Sequence, residues 1–246
     1  MIAIRSALRR AGLLGLFVAL VTPLPTAAAA QPDPLGVALP LPERPAIPPA
    51  MPCKALVTSA TADAGGTGYR IIAATEETAG AGAPTVCVVK GYAAPQTQFE
   101  LRLPMTTYAG RFLQGGCGGM CGVISESITP LCSNAHIAGG TFAVAYNNGG
   151  HFAAGIGDGT WATDPELRMQ FAHKATHATA LAAKAIIARF YARPPEHSYF
   201  VGCSGGGREA LMEAQRYPTD FDGVVAGSSV SMPAAMQLFL WEAQKG

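Results

Sequence analysis

The stretch Ser198-Tyr-Phe-Val-Gly-Cys-Ser-Gly-Gly-Gly-Arg-Glu-Ala-Leu-Met-Glu-Ala-Gln-Arg-Tyr-Pro218 decides how this chain is read. Ser198–Gly202 reads as a short buried strand, and Gly205–Tyr217 as a helix closed by Pro218. Between them, Gly202-Cys203-Ser204-Gly205-Gly206 matches G-x-S-x-G. A strand before that motif and a helix after it are the context of a nucleophile elbow. So tight a turn needs flanks without bulky side chains, and Gly202 and Gly206 meet that need. The turn lifts the Ser204 hydroxyl above the carboxyl edge of the sheet. It also sets the Gly205 N–H at a helix N-terminus, where a developing oxyanion is stabilised. A dinucleotide-binding loop fits less well. The glycines do not complete G-x-G-x-x-G, and no acid follows at a strand end at suitable distance.

Working outward, Gly223–Gly227 reads as the next strand. Upstream, Thr163-Asp-Pro-Glu166 is a helix start, with a capping side chain, a first-turn proline and acids at the positive end of the dipole. The alanine-rich run Leu167–Tyr191 continues it until Arg193-Pro194-Pro195. Thr141–Tyr146 is an apolar strand that leads into Asn147-Asn-Gly-Gly-His151. The order strand, helix, strand, helix, strand implies parallel strands with crossover helices, an α/β sheet. Earlier strands are read around Gly65-Gly66 within 55–73, and at Thr85–Lys90, Phe99–Pro104 and Arg111–Gln114.

The 246 residues carry 17 Lys+Arg against 16 Asp+Glu, a formal net charge of +1. That balance excludes a nucleic-acid binder that works by displacing counterions with a basic stripe. A hydrophobic content of 49% excludes an acidic disordered tail. At the N-terminus, Arg5, Arg9 and Arg10 precede an apolar stretch, Ala11–Val21, and the small-residue run Ala27–Ala30. Residues 1–30 therefore read as a secretory signal peptide cleaved before Gln31, since the apolar stretch is shorter than the ~20 residues of a membrane span. Residues 31–52, with prolines from Pro32 to Pro52, read as an extended leader. The chain is expected to be secreted or periplasmic, with disulfides and with no membrane association after cleavage.

An oxyanion hole needs a second donor from the loop after an earlier strand. Gly115-Gly-Cys-Gly-Gly119 follows Arg111–Gln114, and both Gly116 and Cys117 are candidates. Cys117, Cys121, Cys132 and His136 have a spacing that resembles a zinc pattern, but export favours disulfides. His173 and His177 lie one helical turn apart and read as packed or surface histidines. His151 is expected to line the pocket edge. All five histidines precede Ser204. In α/β hydrolases the order is Ser, Asp or Glu, then His. The acids Glu209 and Glu213 sit on the elbow's own helix, and Asp220 and Asp222 come too early for the usual acid position. The general base and its orienting acid are therefore expected outside this chain.

These residues, with Asp220-Phe-Asp-Gly-Val-Val-Ala-Gly227, Arg111–Gly119, the Gly150-His151 loop end and Asp158-Gly-Thr-Trp161, closely resemble the tannase and feruloyl esterase family. Those serine esterases include the hydrolase of mono(hydroxyethyl) terephthalate. The resemblance spans about residues 53–230. It implies an α/β-hydrolase fold and hydrolysis of small aromatic esters (hydroxycinnamate, gallate or related) through an acyl-serine intermediate on Ser204. It implies a Cys53–Cys87 disulfide. It also implies a disulfide from Cys203 to a cysteine right after the catalytic histidine, a partner expected outside this chain. Residues 53–246 are then the N-terminal part of the catalytic domain, ending where a calcium-binding lid would begin. No cofactor is expected within the chain itself. There are two departures: Gly205 stands where many members carry threonine or a bulkier residue, and Asn147-Asn148 replaces the usual Thr-Asp; both are expected to alter the pocket edge slightly without touching the nucleophile. The alternatives are a non-catalytic remnant or binding protein with the same fold, and a hydrolase that borrows its base from a partner chain.

Overall fold

The computed structural model describes residues 44–57, 61–78, 84–124 and 140–229. The signal-peptide reading, most of the leader, Cys132 and His136 lie outside them. The described residues form one mixed sheet: β1 (Ala62–Ala64), β2 (Thr67–Thr78), β3 (Thr85–Ala93), β4 (Thr97–Pro104), β5 (Arg111–Gly115), β6 (Phe142–Asn147), β7 (His197–Cys203) and β8 (Gly223–Gly227). Their order across the sheet is β1-β2-β3-β4-β6-β5-β7-β8. The strands from β1 to β4 pair antiparallel, as do β4 and β6, whereas β6, β5, β7 and β8 run parallel. The expected crossover arrangement is present. β5 slots between β6 and β7, and this position makes it central, with all five residues buried. A strand covered on both faces loses polar alternation, and Arg111-Phe-Leu-Gln-Gly115 shows none.

The helical region begins as its residues dictate. The Asp164 side chain accepts from the N–H groups of Glu166 and Leu167, with Pro165 in the first turn of α1 (Pro165–Met169). The pattern reads as one continuous helix, but the structure inserts a π-turn at Gln170–Lys174 before α2 (Ala175–Phe190). α2 buries Ala178, Ala182, Ala183, Ile186, Ile187 and Phe190 in the same core as Val89, Leu101, Phe112 and Phe200. Small alanines let the helix approach the sheet closely, and the large side chains at its C-terminal end fill the remaining depth. α3 (Gly205–Arg216) follows β7 directly and packs on β7 and β8.

Cys53 and Cys87 form a disulfide, with sulfur and Cα separations of 1.98 Å and 5.6 Å. It ties the short turn Cys53–Leu56 to β3. Residues 44–52 form no helix or strand, but they are pinned: Ile47 N–H donates to the Tyr108 carbonyl and Ala50 N–H to the Phe190 carbonyl, both at 2.7 Å. Among the described residues, no helix is long and apolar enough to cross a membrane.

Candidate active site

Ser204 sits between β7 and α3 with φ 57° and ψ −119°. A side chain-bearing residue avoids that region, and it persists only where the surroundings enforce it. Two backbone anchors do so. Ser204 N–H donates to the Gly227 carbonyl at 3.1 Å, and the Ser204 carbonyl accepts the first helical bond, from Arg208 N–H, at 3.1 Å. The hydroxyl is left half-buried at the end of the parallel strands.

The flanking glycines are dictated by contact. A Cβ on Gly202 would overlap the Gly206 carbonyl and lie 2.9 Å from the Gly206 Cα. A Cβ on Gly205 would overlap the Gly119 carbonyl and lie 3.1 Å from the Gly119 nitrogen. The loop after β5 therefore lies directly on the first turn of α3, and no side chain fits at Gly205 without moving it.

The two loop residues expected to donate to an oxyanion are both occupied. Gly116 N–H extends the ladder to the Val201 carbonyl at 2.9 Å. Cys117 N–H donates to the Glu209 carboxylate at 2.9 Å. Both expectations are corrected: those amides are engaged by β7 and by α3. Among the described residues, nothing accepts from the N–H groups of Gly118, Gly119 or Gly205. The five-residue glycine–cysteine run offered no local mark of which amide stays open, because long-range acceptors decide it.

Glu209 was missed as a site residue. It is fully buried, and loss of hydration pushes its carboxyl above the usual range. Besides Cys117 N–H it accepts from the Thr176 hydroxyl at 3.2 Å. The sulfurs of Cys117 and Cys121, which are disulfide-bonded to each other, lie 3.2 and 3.8 Å from its Oε1. Cys203 also enters a disulfide, and its partner lies outside the described residues.

His151 does not line an open edge. It has no exposed surface, stacks on Trp161 with ring centroids 3.7 Å apart, and meets Phe171 edge-on at 5.8 Å. Its Nδ1 lies 3.2 Å from the Gly149 carbonyl, and burial lowers its pKa. The ring therefore serves as a neutral support under the 152–161 loop. Asp158 holds that loop, accepting from Thr160 N–H (2.9 Å), Thr160 hydroxyl (2.7 Å) and Ala154 N–H (3.1 Å). Trp161 Nε1 donates to the Asp158 carbonyl at 2.7 Å. Asn147 and Asn148 are buried too, and their side chains accept from Gly149 and Gly150 N–H. They build the turn from within.

Arg208 joins this support to α3. It donates to the Phe171 and Ala172 carbonyls at 2.9 and 3.0 Å, with its guanidinium 4.1 Å from the Phe171 ring centroid. At the far end of α3 lies a separate cluster. His177 meets Asp220 at 2.6 Å and stacks on Tyr217, whose hydroxyl lies 2.7 Å from His173 Nδ1. Ligand atoms of His177, Glu213 and Asp220 lie within 4.8 Å of one another, but Lys184 Nζ already bonds the Asp220 carbonyl there. No donor among the described residues reaches either Glu213 oxygen, and the Asp220 carboxylate faces it.

Desolvation, then the Asp220 and Glu209 charges, push the Glu213 carboxyl up to about 9, against the pull of Lys184. The folded state thus holds a proton that the unfolded chain, at 4.5, gives up. The stabilisation is full below the unfolded value and is lost as pH rises through the folded one, at no more than about 1.4 kcal/mol per pH unit. The melting temperature should fall from pH 6 to pH 9, and Glu213→Gln should flatten that slope. A slope unchanged in Glu213→Gln would contradict the assignment.

The family model for tannase and feruloyl esterase matches residues 82–244. The mono(2-hydroxyethyl) terephthalate hydrolase of Piscinibacter sakaiensis is 34% identical over 180 residues, which are 65% of this chain and 30% of that protein. A probable feruloyl esterase B-2 of Neosartorya fischeri is 39% identical over 121 residues, 49% of this chain and 22% of that one. An esterase structure from Aspergillus oryzae superposes with a TM-score of 0.60 at 29% identity, covering 72% of this chain and 37% of that one. The match thus spans less than a third of either curated relative. With the strand order above, these likenesses make the sheet one of α/β-hydrolase type, and the chain belongs to the tannase and feruloyl esterase family.

Proposed function

We propose that the protein hydrolyses carboxylic esters of aromatic acids through an acyl-serine intermediate. The carrying observation is the backbone of Ser204, held at φ 57° and ψ −119° between a parallel strand and a helix. Ser204 Oγ attacks the ester carbonyl while its proton passes to a histidine outside the described residues, oriented there by an acid. The carbonyl oxygen becomes an oxyanion between Gly205 N–H and the open amide of Gly118 or Gly119. The C–O bond then breaks, the alcohol leaves with the proton, and water repeats the sequence to free the acid. Small aromatic esters are the substrate class because the named relatives include feruloyl esterases and a terephthalate-ester hydrolase.

Hydrolysis needs no cofactor in this scheme. Calcium takes an all-oxygen shell, and neither cluster with close ligand atoms among the described residues offers one. Export to an oxidising compartment, periplasmic or extracellular, is part of the proposal. The disulfides and the basic-then-apolar N-terminus support it.

The test is labelling with a fluorophosphonate probe together with methyl ferulate hydrolysis. Covalent modification mapped to Ser204 is expected. A soluble, folded protein that takes up no probe would overturn the proposal and leave a non-catalytic binding role.

A further inference from the structure

Glu209 sits on the second turn of α3, five residues beyond Ser204, with its carboxyl turned inward under the loop after β5. Isolated burial of a carboxyl is costly, and groups of this kind persist where their oxygens are used. Here one oxygen holds the Cys117 amide and the other the Thr176 hydroxyl. Thr176 is itself fixed, since its carbonyl accepts from Gln114 Nε2 on β5 at 2.9 Å. A closed circuit therefore runs from β5 through α2 to α3 and back to the loop that β5 feeds. The next residues of that loop, Gly118 and Gly119, carry the open amides, and Gly119 rests on Gly205. The bond from Cys117 N–H is what ties the loop backbone to α3 at this height.

We propose that Glu209 is a positioning residue for the oxyanion site: by holding the Cys117 amide it sets the Gly118 and Gly119 amides beside the Ser204 hydroxyl. The inference rests on the esterase reading for its kinetic consequence, but its structural part stands alone. It goes beyond the nucleophile and its flanking amides, because Glu209 touches neither. A misplacement of about 1 Å at such a site costs on the order of 10²-fold in rate, so an indirect support of this kind should be measurable.

The test compares Glu209→Ala and Glu209→Gln with the unchanged protein. Amide hydrogen exchange is read by mass spectrometry over residues 112–122, and methyl ferulate hydrolysis is read as kcat and KM. Glutamine keeps an acceptor for Cys117 N–H and offers a donor to the Thr176 oxygen, so it should leave both readouts near their original values. Alanine should speed exchange over 116–119 and lower kcat about 10- to 100-fold, with KM within about twofold, because oxyanion contacts act in the transition state. Unchanged exchange and unchanged kcat in Glu209→Ala would overturn the proposal. So would equal losses in both variants accompanied by a fall in melting temperature, which marks a purely structural role. If the unchanged protein hydrolyses nothing, the esterase reading fails by itself. The exchange data then decide whether Glu209 holds the loop, with unchanged exchange in Glu209→Ala overturning it.

Discussion

Replacing Ser204 by alanine is expected to abolish ester hydrolysis, with kcat falling about 10⁵- to 10⁶-fold. The reasoning is chemical. No other hydroxyl shares the position between β7 and α3, where one backbone sets both the nucleophile and the Gly205 amide. The substitution should leave the fold intact, because the Ser204 side chain makes no hydrogen bond to a described residue, and alanine lacks only the oxygen. It should even relieve nothing, since any L side chain at φ 57° and ψ −119° bears the same backbone cost. The measurement is methyl ferulate hydrolysis beside a thermal melt. A variant with an unaltered melt and activity within tenfold of the original would assign the reaction to another nucleophile.

The second large effect is structural. Gly202→Ala should cost about 3 kcal/mol or more, the upper range for forcing an extra carbon into a packed interior. The obstacle is backbone: the new Cβ would overlap the Gly206 carbonyl, and no rotamer change removes it. For a domain of this size the melting temperature should drop by about 6–12 °C. Because Gly206 belongs to the first turn of α3, the strain passes straight to Gly205, and fluorophosphonate uptake at Ser204 should fall with it. A melt within about 2 °C of the original would show that β7 and α3 are less tightly joined than the contacts state. Gly202 and Ser204 thus make separable claims: one variant loses chemistry and keeps the fold, the other loses both.

Much of this arrangement was legible beforehand. Each strand from Thr85 to Gly227 could be read from apolar runs bounded by glycine and proline, and α3 from the elbow itself. The Asp164 cap and Pro165 marked α1 within a residue. What escaped were features settled by partners distant in the chain. The sequence points to Gly116 and Cys117 as donors without choosing between them, and the acceptors that engage their amides, Val201 and Glu209, lie far along the chain. Glu209 could be set aside as a triad acid by its place on the elbow's helix, yet nothing near it in the chain announces a bond to residue 117. His151 was read as pocket-facing from the end of β6, but Trp161 and Phe171 enclose it. The slot of β5 between β6 and β7 is a matter of which strand edges hydrogen-bond to each other, and alternation along one strand does not carry it.

The π-turn at Gln170–Lys174 has a consequence for how this region can change over evolution. Such a turn is an α-helix with one residue too many. Deleting any one of the five would restore a regular helix and rotate everything before it by about 100°. Phe171 would swing away from His151 and Trp161, and Arg208 would lose the two carbonyls it now binds. A part-buried guanidinium left without acceptors is a costly defect. The length of this segment is therefore under stronger constraint than its composition. Substitutions should accumulate across residues 170–174, while gaps should not.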